Sequence, residues 1–270
     1  MTRHHDGPEA LSFKVVMYGL AALCFLLLML PTVVVLVVSF TSGFSLKFPP
    51  SGYSLRWYAA LLDAWQLHFA AANSLQVATW TTLAAVLLGV AASLAIARSD
   101  KWTARILDSL FMSPLVLPAL AFGLASLMFF SIVGLPSSLA TLVLGHVVVC
   151  VPYVVRTTVA ALAQLNPALL ESSASLGASR WYTFRRVTLP LIRPAILAGA
   201  FIAFMSSFDN VPVSLFLRDA RTDMLPIRMW QDLEGKLDVT IAAVSGVMIA
   251  FTIVALIVME RMAGLSRRLR

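Results

Sequence analysis

Charge is scarce in this 270-residue sequence: Asp, Glu, Lys and Arg make up 12%, against 60% hydrophobic residues. An ordinary globular domain is roughly a quarter charged and about half apolar, so a water-soluble class is set aside first. Cysteine is nearly absent, and Cys24 and Cys150 fall in different apolar runs. That excludes a disulfide framework or a thiolate metal site and predicts two small buried packing residues. The four lysines lie in no GxxxxGK[ST] phosphate loop, and neither HExxH nor GxSxG occurs. The chain is therefore read as non-catalytic in itself, with no metal or cofactor expected. Also missing are a low-complexity linker, an appended soluble domain and a convincing internal repeat, which disfavours inverted-repeat carrier folds.

What is present is long uncharged runs. A membrane helix needs about 20 mostly apolar residues, and six stretches qualify: 15–40, 69–97, 109–133, 137–155, 195–217 and 239–259. The prediction is an all-α, polytopic membrane protein with six spans in one domain over residues 1–270. The first stretch is too long for a signal-peptide core and is read as a retained helix. The formal net charge of +7 follows the spans rather than forming a stripe for nucleic acid. With the N-terminus inside, segments 1–14, 98–108, 156–194 and 260–270 carry two, three, five and four basic residues, 14 of the 20. The loop 218–238 holds five acids (Asp219, Asp223, Asp232, Glu234, Asp238) and a net charge of −1. Both termini are therefore expected on the cytoplasmic side.

Small residues at four-residue spacing mark expected helix contacts: Ala85, Gly89, Ser93 and Ala97; Ala195, Gly199 and Ala203; Ala242, Gly246 and Ala250. Pro114 and Pro118 should kink the third span, and Pro212 the outer half of the fifth. Such bends either help a bundle enclose a cavity or are tolerated because neighbouring helices restore the bonding.

The 39-residue stretch from Arg156 to Pro194 is too large for a connector. Val159, Leu162, Leu165 and Leu169 recur at helical spacing, Asn166-Pro167 can cap and restart the helix, and Gly177 can end it in a left-handed conformation. Ser179 can cap a second short helix to about Val187, stopped by Leu189-Pro190, with Trp181 and Phe184 on one face and Arg185 and Arg186 beside it. Two readings stand: a docking element, or an interfacial helix lying on anionic lipid.

The run Glu171-Ser-Ser-Ala174-Ser-Leu-Gly177-Ala178-Ser-Arg-Trp-Tyr-Thr-Phe184-Arg-Arg-Val187-Thr-Leu189-Pro190 resembles the EAA loop of ABC importer permeases. Ser172 and Ser173 stand where alanines are usual, and keep the small volume. The likeness extends along most of the chain: Asn73-Ser74-Leu75, Gly89 and Arg98 resemble the family's second helix, and Pro114, Pro118 and Gly123 its third. Ser207-Phe208-Asp209-Asn210 followed by Leu225-Pro226-Ile227 is most similar to spermidine/putrescine-type permeases.

The resemblance implies the MetI-like fold and a half-transporter of a type I ABC importer in the bacterial inner membrane. It implies a similar but non-identical second permease, two cytoplasmic ATPase subunits and an extracytoplasmic substrate-binding protein as partners. The loop residues matching the motif, Glu171, Ala174, Gly177, Ala178, Phe184, Leu189 and Pro190, become candidates for ATPase coupling. Glu171 either pairs with a basic ATPase residue or caps and pairs within its own loop.

Asp209 is an ionisable residue inside a span, and a pathway role is the default for such a group. Counted from Ala195 it lies ~21 Å along the helix; with Ser207 and Asn210 it is the candidate pathway, suited to a cationic solute such as a polyamine. The alternative is a carboxyl bonded to neighbouring backbone or to Asn210. His146 reads more readily as a satisfied interhelical donor than as a proton relay. Tyr53, Trp57 and Tyr58 read as an interfacial aromatic belt rather than a ligand cage. An ion-gradient-driven secondary transporter is the alternative function, though it needs no 39-residue docking loop. A membrane-embedded enzyme is disfavoured, since no catalytic residues pair at membrane depth.

Overall fold

A computed structural model of the chain describes residues 8–236 and 239–264; Asp238 and the terminal arginines Arg3, Arg267, Arg268 and Arg270 lie outside them. The described residues are almost entirely helical: α1 (Pro8–Ser39), α2 (Arg56–Leu62), α3 (Trp65–Arg98), α4 (Lys101–Val116), α5 (Ala119–Val133), α6 (Leu139–Ala163), α7 (Pro167–Ser175), α8 (Arg180–Thr183), α9 (Leu189–Phe208), α10 (Val211–Leu217), α11 (Leu225–Lys236) and α12 (Thr240–Ala263). A π-helical turn, Phe184–Thr188, joins α8 to α9. Five helical runs are long and apolar enough to cross a membrane, and α4 with α5 makes a sixth if that bent pair is one span.

Local chemistry sets the boundaries. Asp100 accepts from the Thr103 backbone at 2.8 Å to cap α4, while Ser138 and Thr141 form a reciprocal capping box at the start of α6. Gly134, at φ +78°, closes α5 and turns the chain through Leu135-Pro136. Pro118 disfavours helical geometry at the residue before it, and Leu117 is extended (φ −72°, ψ 141°). The expected kink in the third span is consequently a 101° break between α4 and α5, whereas Pro114 is absorbed within α4.

Two compact units emerge. The first comprises the described residues up to Ala64 with Asp232–Ala250. Here Tyr58 meets Ser39 hydroxyl to hydroxyl at 2.7 Å and stacks obliquely on Phe40. Gly246 of α12 faces the same Tyr58 hydroxyl, with no room for a Cβ. Trp57 donates to the Gly43 carbonyl at 3.1 Å, and the Arg56 guanidinium lies over Phe44 and Trp57, 4.0 and 4.6 Å from the ring centroids. Of the three expected belt aromatics, Trp57 thus fastens the 41–55 loop to α2, and Tyr58 fastens α2 to the end of α1. Cys24 lies exposed on α1 rather than buried as its apolar surroundings predict, because α1 turns most of its side chains outward.

The second unit comprises Trp65–Gln231 and the described residues from Phe251 on. Its centre is α3, α6 and α9, packed through the small residues. A Cβ on Gly89 would stand 2.7 Å from the Val154 Cβ, and one on Gly199 would stand 3.0 Å from the Val154 Cα. Both glycines therefore let helices approach α6 closely. Ser93 returns its hydroxyl to the Gly89 carbonyl at 2.7 Å and reaches the Val155 carbonyl at 3.3 Å. Cys150 is buried, its Sγ 3.5 Å from the Ala203 carbonyl oxygen.

Two expectations about the fifth span change. Leu189-Pro190 does not stop the preceding helix: the π turn carries the chain into α9, and Pro190 sits in the first turn of α9, where a missing N–H costs little. A helical run from Arg180 to Phe208 results. The span then ends at Asp209, three residues before Pro212. Asn210 caps α10 and Pro212 occupies its first turn, so the proline fits the start of a new helix and the break falls before it.

Candidate functional site

The loop following α6 is built as its sequence predicts locally. Asn166 accepts from Ala168 N at 3.0 Å to open α7. Gly177 takes φ +76°, donates to Ala174 O at 2.9 Å, and is followed by Ala178 N to Ser173 O at 3.1 Å. These two bonds are the paired closure of a Schellman turn. Ser179 accepts from Tyr182 N at 3.2 Å to open α8. Ser173, buried, bonds Thr183 hydroxyl to hydroxyl at 2.8 Å and ties α7 to α8. The only mark of that link in the sequence is a serine at 173 where alanine is usual.

The candidate loop residues divide by direction. Glu171 is exposed and makes no hydrogen bond or ion pair among the described residues. Gly177 has open space where a Cβ would stand. Leu176 is 87% and Trp181 68% exposed, and the Trp181 and Phe184 rings lie 5.7 Å apart. Ala174, Ala178 and Phe184, by contrast, line a cavity of about 710 Å³ behind the loop, with Arg98, Leu162 and Leu170. Leu189 and Pro190 form the first turn of α9, and so tie the loop to the α9 run.

At the far end of α9 lies the break. Asp209 is exposed and caps the helix through its backbone N–H to Met205 O at 3.1 Å. Asn210 directs its side-chain oxygen to Val213 N at 2.9 Å. Ser207, grouped with them from the sequence, is instead fully buried and meets His146 Nδ1 at 2.8 Å. His146, also fully buried, reaches the Ser214 hydroxyl with Nε2 at 3.0 Å. The histidine is thus an interhelical hydrogen-bonding residue, with partners on both sides of the break.

The segment after α10 is fastened to the start of α3. Asn73 donates to the carbonyls of Arg221 and Asp223 at 3.2 and 3.0 Å, and the Ser74 hydroxyl accepts from Leu225 N at 2.9 Å. Arg218 pairs with Asp223 at 2.8 Å. The Thr222 hydroxyl, donating to Asp219 at 2.7 Å, leads the contacts that hold the Asp219 carboxyl below its usual range. Asn73 and Ser74 stood out in the sequence only through resemblance, because partners some 150 residues away leave no local pattern.

The chain is similar to known transport proteins over most of its length. It is 26% identical over 237 residues to the spermidine/putrescine transport system permease protein PotC of Escherichia coli (strain K12), covering 87% of this chain and 89% of the relative. The putrescine transport system permease protein PotI of the same organism is 29% identical over 216 residues, covering 77% and 76%. Among solved structures, a chain of a bacterial alginate ABC transporter, crystallised with an alginate pentasaccharide-bound periplasmic protein, matches with TM-score 0.69 at 18% identity over 98% of each chain. The MetNI methionine ABC transporter in an inward-facing conformation matches with TM-score 0.61 at 18% identity, covering 75% of this chain and 96% of that one. The fold is therefore that of type I ABC importer permeases. Residues 85–270 match the family described as binding-protein-dependent transport system inner membrane component, and the chain belongs to that family, as a multi-pass permease subunit of an ABC importer.

Proposed function

We propose that this permease is one half of the membrane pathway of an ATP-driven importer for polyamines or a closely related small cationic solute. The loop 156–194 lies on the cytoplasmic side, as do both termini, in keeping with the distribution of basic residues. There it receives a separate ATPase subunit, since the sequence carries no phosphate loop of its own. A second, homologous permease completes the cavity, and an extracytoplasmic binding protein delivers the solute. The observation that carries this reading is Glu171: an exposed carboxylate with no partner among the described residues, six positions before a left-handed glycine turn.

Glu171 and Gly177 act as the coupling pair. The carboxylate offers charge-assisted hydrogen bonds to a basic group on the ATPase, and the glycine allows close backbone approach. Ala174, Ala178 and Phe184 support the loop from behind, while Leu189 and Pro190 transmit its motion to α9. Along the pathway Asp209 provides the negative charge, with Asn210 and Ser207 shaping the segment that bears it. The names of the similar permeases support polyamines as the solute class, and a carboxylate exposed at a helix break suits a dication.

The test is uptake of labelled putrescine into vesicles holding the permease pair, the ATPase and the binding protein. Uptake is expected only with ATP and the ATPase present. Accumulation driven by an ion gradient without ATP would return the chain to the secondary-transporter class.

A further inference from the structure

The fifth span is interrupted at Asp209–Asn210, and the two pieces pack on α6 at separate points. α9 packs on α6 at Gly199 and Ala203, close beside Val154 and Cys150. α10 packs on α6 at Gly145, where a Cβ would stand 2.5 Å from Leu217 Cδ1 and 3.1 Å from Val213 Cγ1. It also packs on α5 at Gly123, where a Cβ would meet the Pro212 carbonyl oxygen at 2.7 Å. Across the break the backbone contributes one long bond, Asn210 N to Ser207 O at 3.4 Å.

Beneath the break sits His146, with 0% exposure. Its two ring nitrogens reach two hydroxyls that belong to different pieces: Ser207 at the end of α9 and Ser214 within α10. A neutral imidazole carries one N–H donor and one lone pair, and a serine hydroxyl can rotate to serve either. Either tautomer therefore satisfies all three groups, with opposite hydroxyl directions. Ser207 is two residues before Asp209, and Ser214 four after Asn210, so the bridge fixes both sides of the segment that carries the carboxylate.

We infer that His146 is a clasp across the broken fifth span, a positioning residue that sets how Asp209 is presented by holding α9 and α10 in one register. Its consequence for transport rests on the reading of Asp209 as a pathway residue; the clasp itself does not, and the test separates the two. With Cys24→Ala as background, Asp209→Cys is introduced into the full chain in membranes with its partners, and its labelling rate with N-ethylmaleimide is measured. The same chain without the new cysteine supplies the Cys150 baseline. A second reporter, Leu176→Cys at the distant loop turn, reads any general loosening.

Removing both hydrogen bonds with His146→Leu is expected to change the labelling rate at position 209 by about tenfold and to leave position 176 within about twofold. Ser207→Ala and Ser214→Ala should each shift position 209 in the same direction by less, and have no further effect once His146→Leu is present. His146→Gln, which keeps a donor and an acceptor, should restore most of the parental rate. An unchanged rate in His146→Leu, or equal changes at 209 and 176, overturns the clasp. If His146→Leu does not accumulate, the Ser207→Ala/Ser214→Ala double variant decides in its place, since it removes both links and only two oxygens. A failure of the polyamine reading appears only in putrescine uptake, not in these labelling rates.

Discussion

The two ends of α9 treat their polar groups in opposite ways. At the loop end, Glu171 is exposed and unpartnered among the described residues, and Leu176 and Trp181 are exposed beside it. At the break end, His146, Ser207, Ser214, Asn73 and Ser74 are buried and bonded within the chain, with Asp209 exposed among them. A buried polar group is favoured to find a partner inside its own fold, because leaving it unpaired costs about 1–3 kcal/mol. An exposed group carries no such requirement and remains available to another chain. The loop end thus leaves Glu171 open to another chain, as the proposed coupling role requires, while the buried groups at the break end are bonded within the fold.

That contrast orders the expected effects of substitution. Gly177→Val should be the most damaging. A non-glycine residue in the left-handed region costs roughly 1–2 kcal/mol, and the branched side chain would also project from the proposed docking surface. Uptake is expected to fall about 100-fold, the loss of roughly 2.7 kcal/mol of coupling, with unchanged membrane insertion measured by immunoblot. Asp209→Asn should follow, lowering putrescine uptake about tenfold while the ATPase still co-purifies. Equal damage to uptake and ATPase capture would erase the division of labour between the two ends.

Asn73→Ala tests the self-contained end. It strips the donor from two carbonyls, and about 1–3 kcal/mol of local stability should be lost, read as faster proteolysis of the 218–224 segment in detergent. Ser173→Ala should be the mildest. It removes the hydroxyl bridge to Thr183, worth about 1 kcal/mol, and uptake should stay within about threefold. A large effect there would mean that the α7–α8 angle matters more to coupling than the exposed carboxylate does.

Signals that depend on neighbours in sequence were legible. Asn166-Pro167, Gly177 and Ser179 mark their own caps, since each bonds within five residues, and the uncharged runs mark the spans. Of the prolines read as disruptors, Pro114, Pro118, Pro190 and Pro212, only Pro118 makes a break of its own, and Pro114 is carried inside α4. Pro118 breaks the chain at the residue before it, Pro212 follows a break already made at Asp209–Asn210, and Pro190 sits in the first turn of α9, just after the π turn. Each outcome depends on which backbone N–H is already unpaired, which spacing alone does not reveal. The interhelical role of His146 was legible, but its serine partners and the Asn73 and Ser74 anchors were not, for a different reason. Their partners lie 61 to 151 residues away, and a single serine or asparagine in an apolar run carries no mark of the helix it will meet. Cys24 shows the converse limit, because an apolar neighbourhood does not distinguish a lipid-facing or partner-facing surface from a core.

The central claim is that the exposed loop receives an ATPase from outside the chain. It is tested most directly by purifying the tagged permease from membranes in mild detergent and measuring the ATPase that accompanies it. The wild-type chain should retain that subunit, and the Glu171→Ala/Gly177→Ala variant, inserted to the same level, should lose it. Retention of the ATPase by that variant at the wild-type ratio would contradict the account.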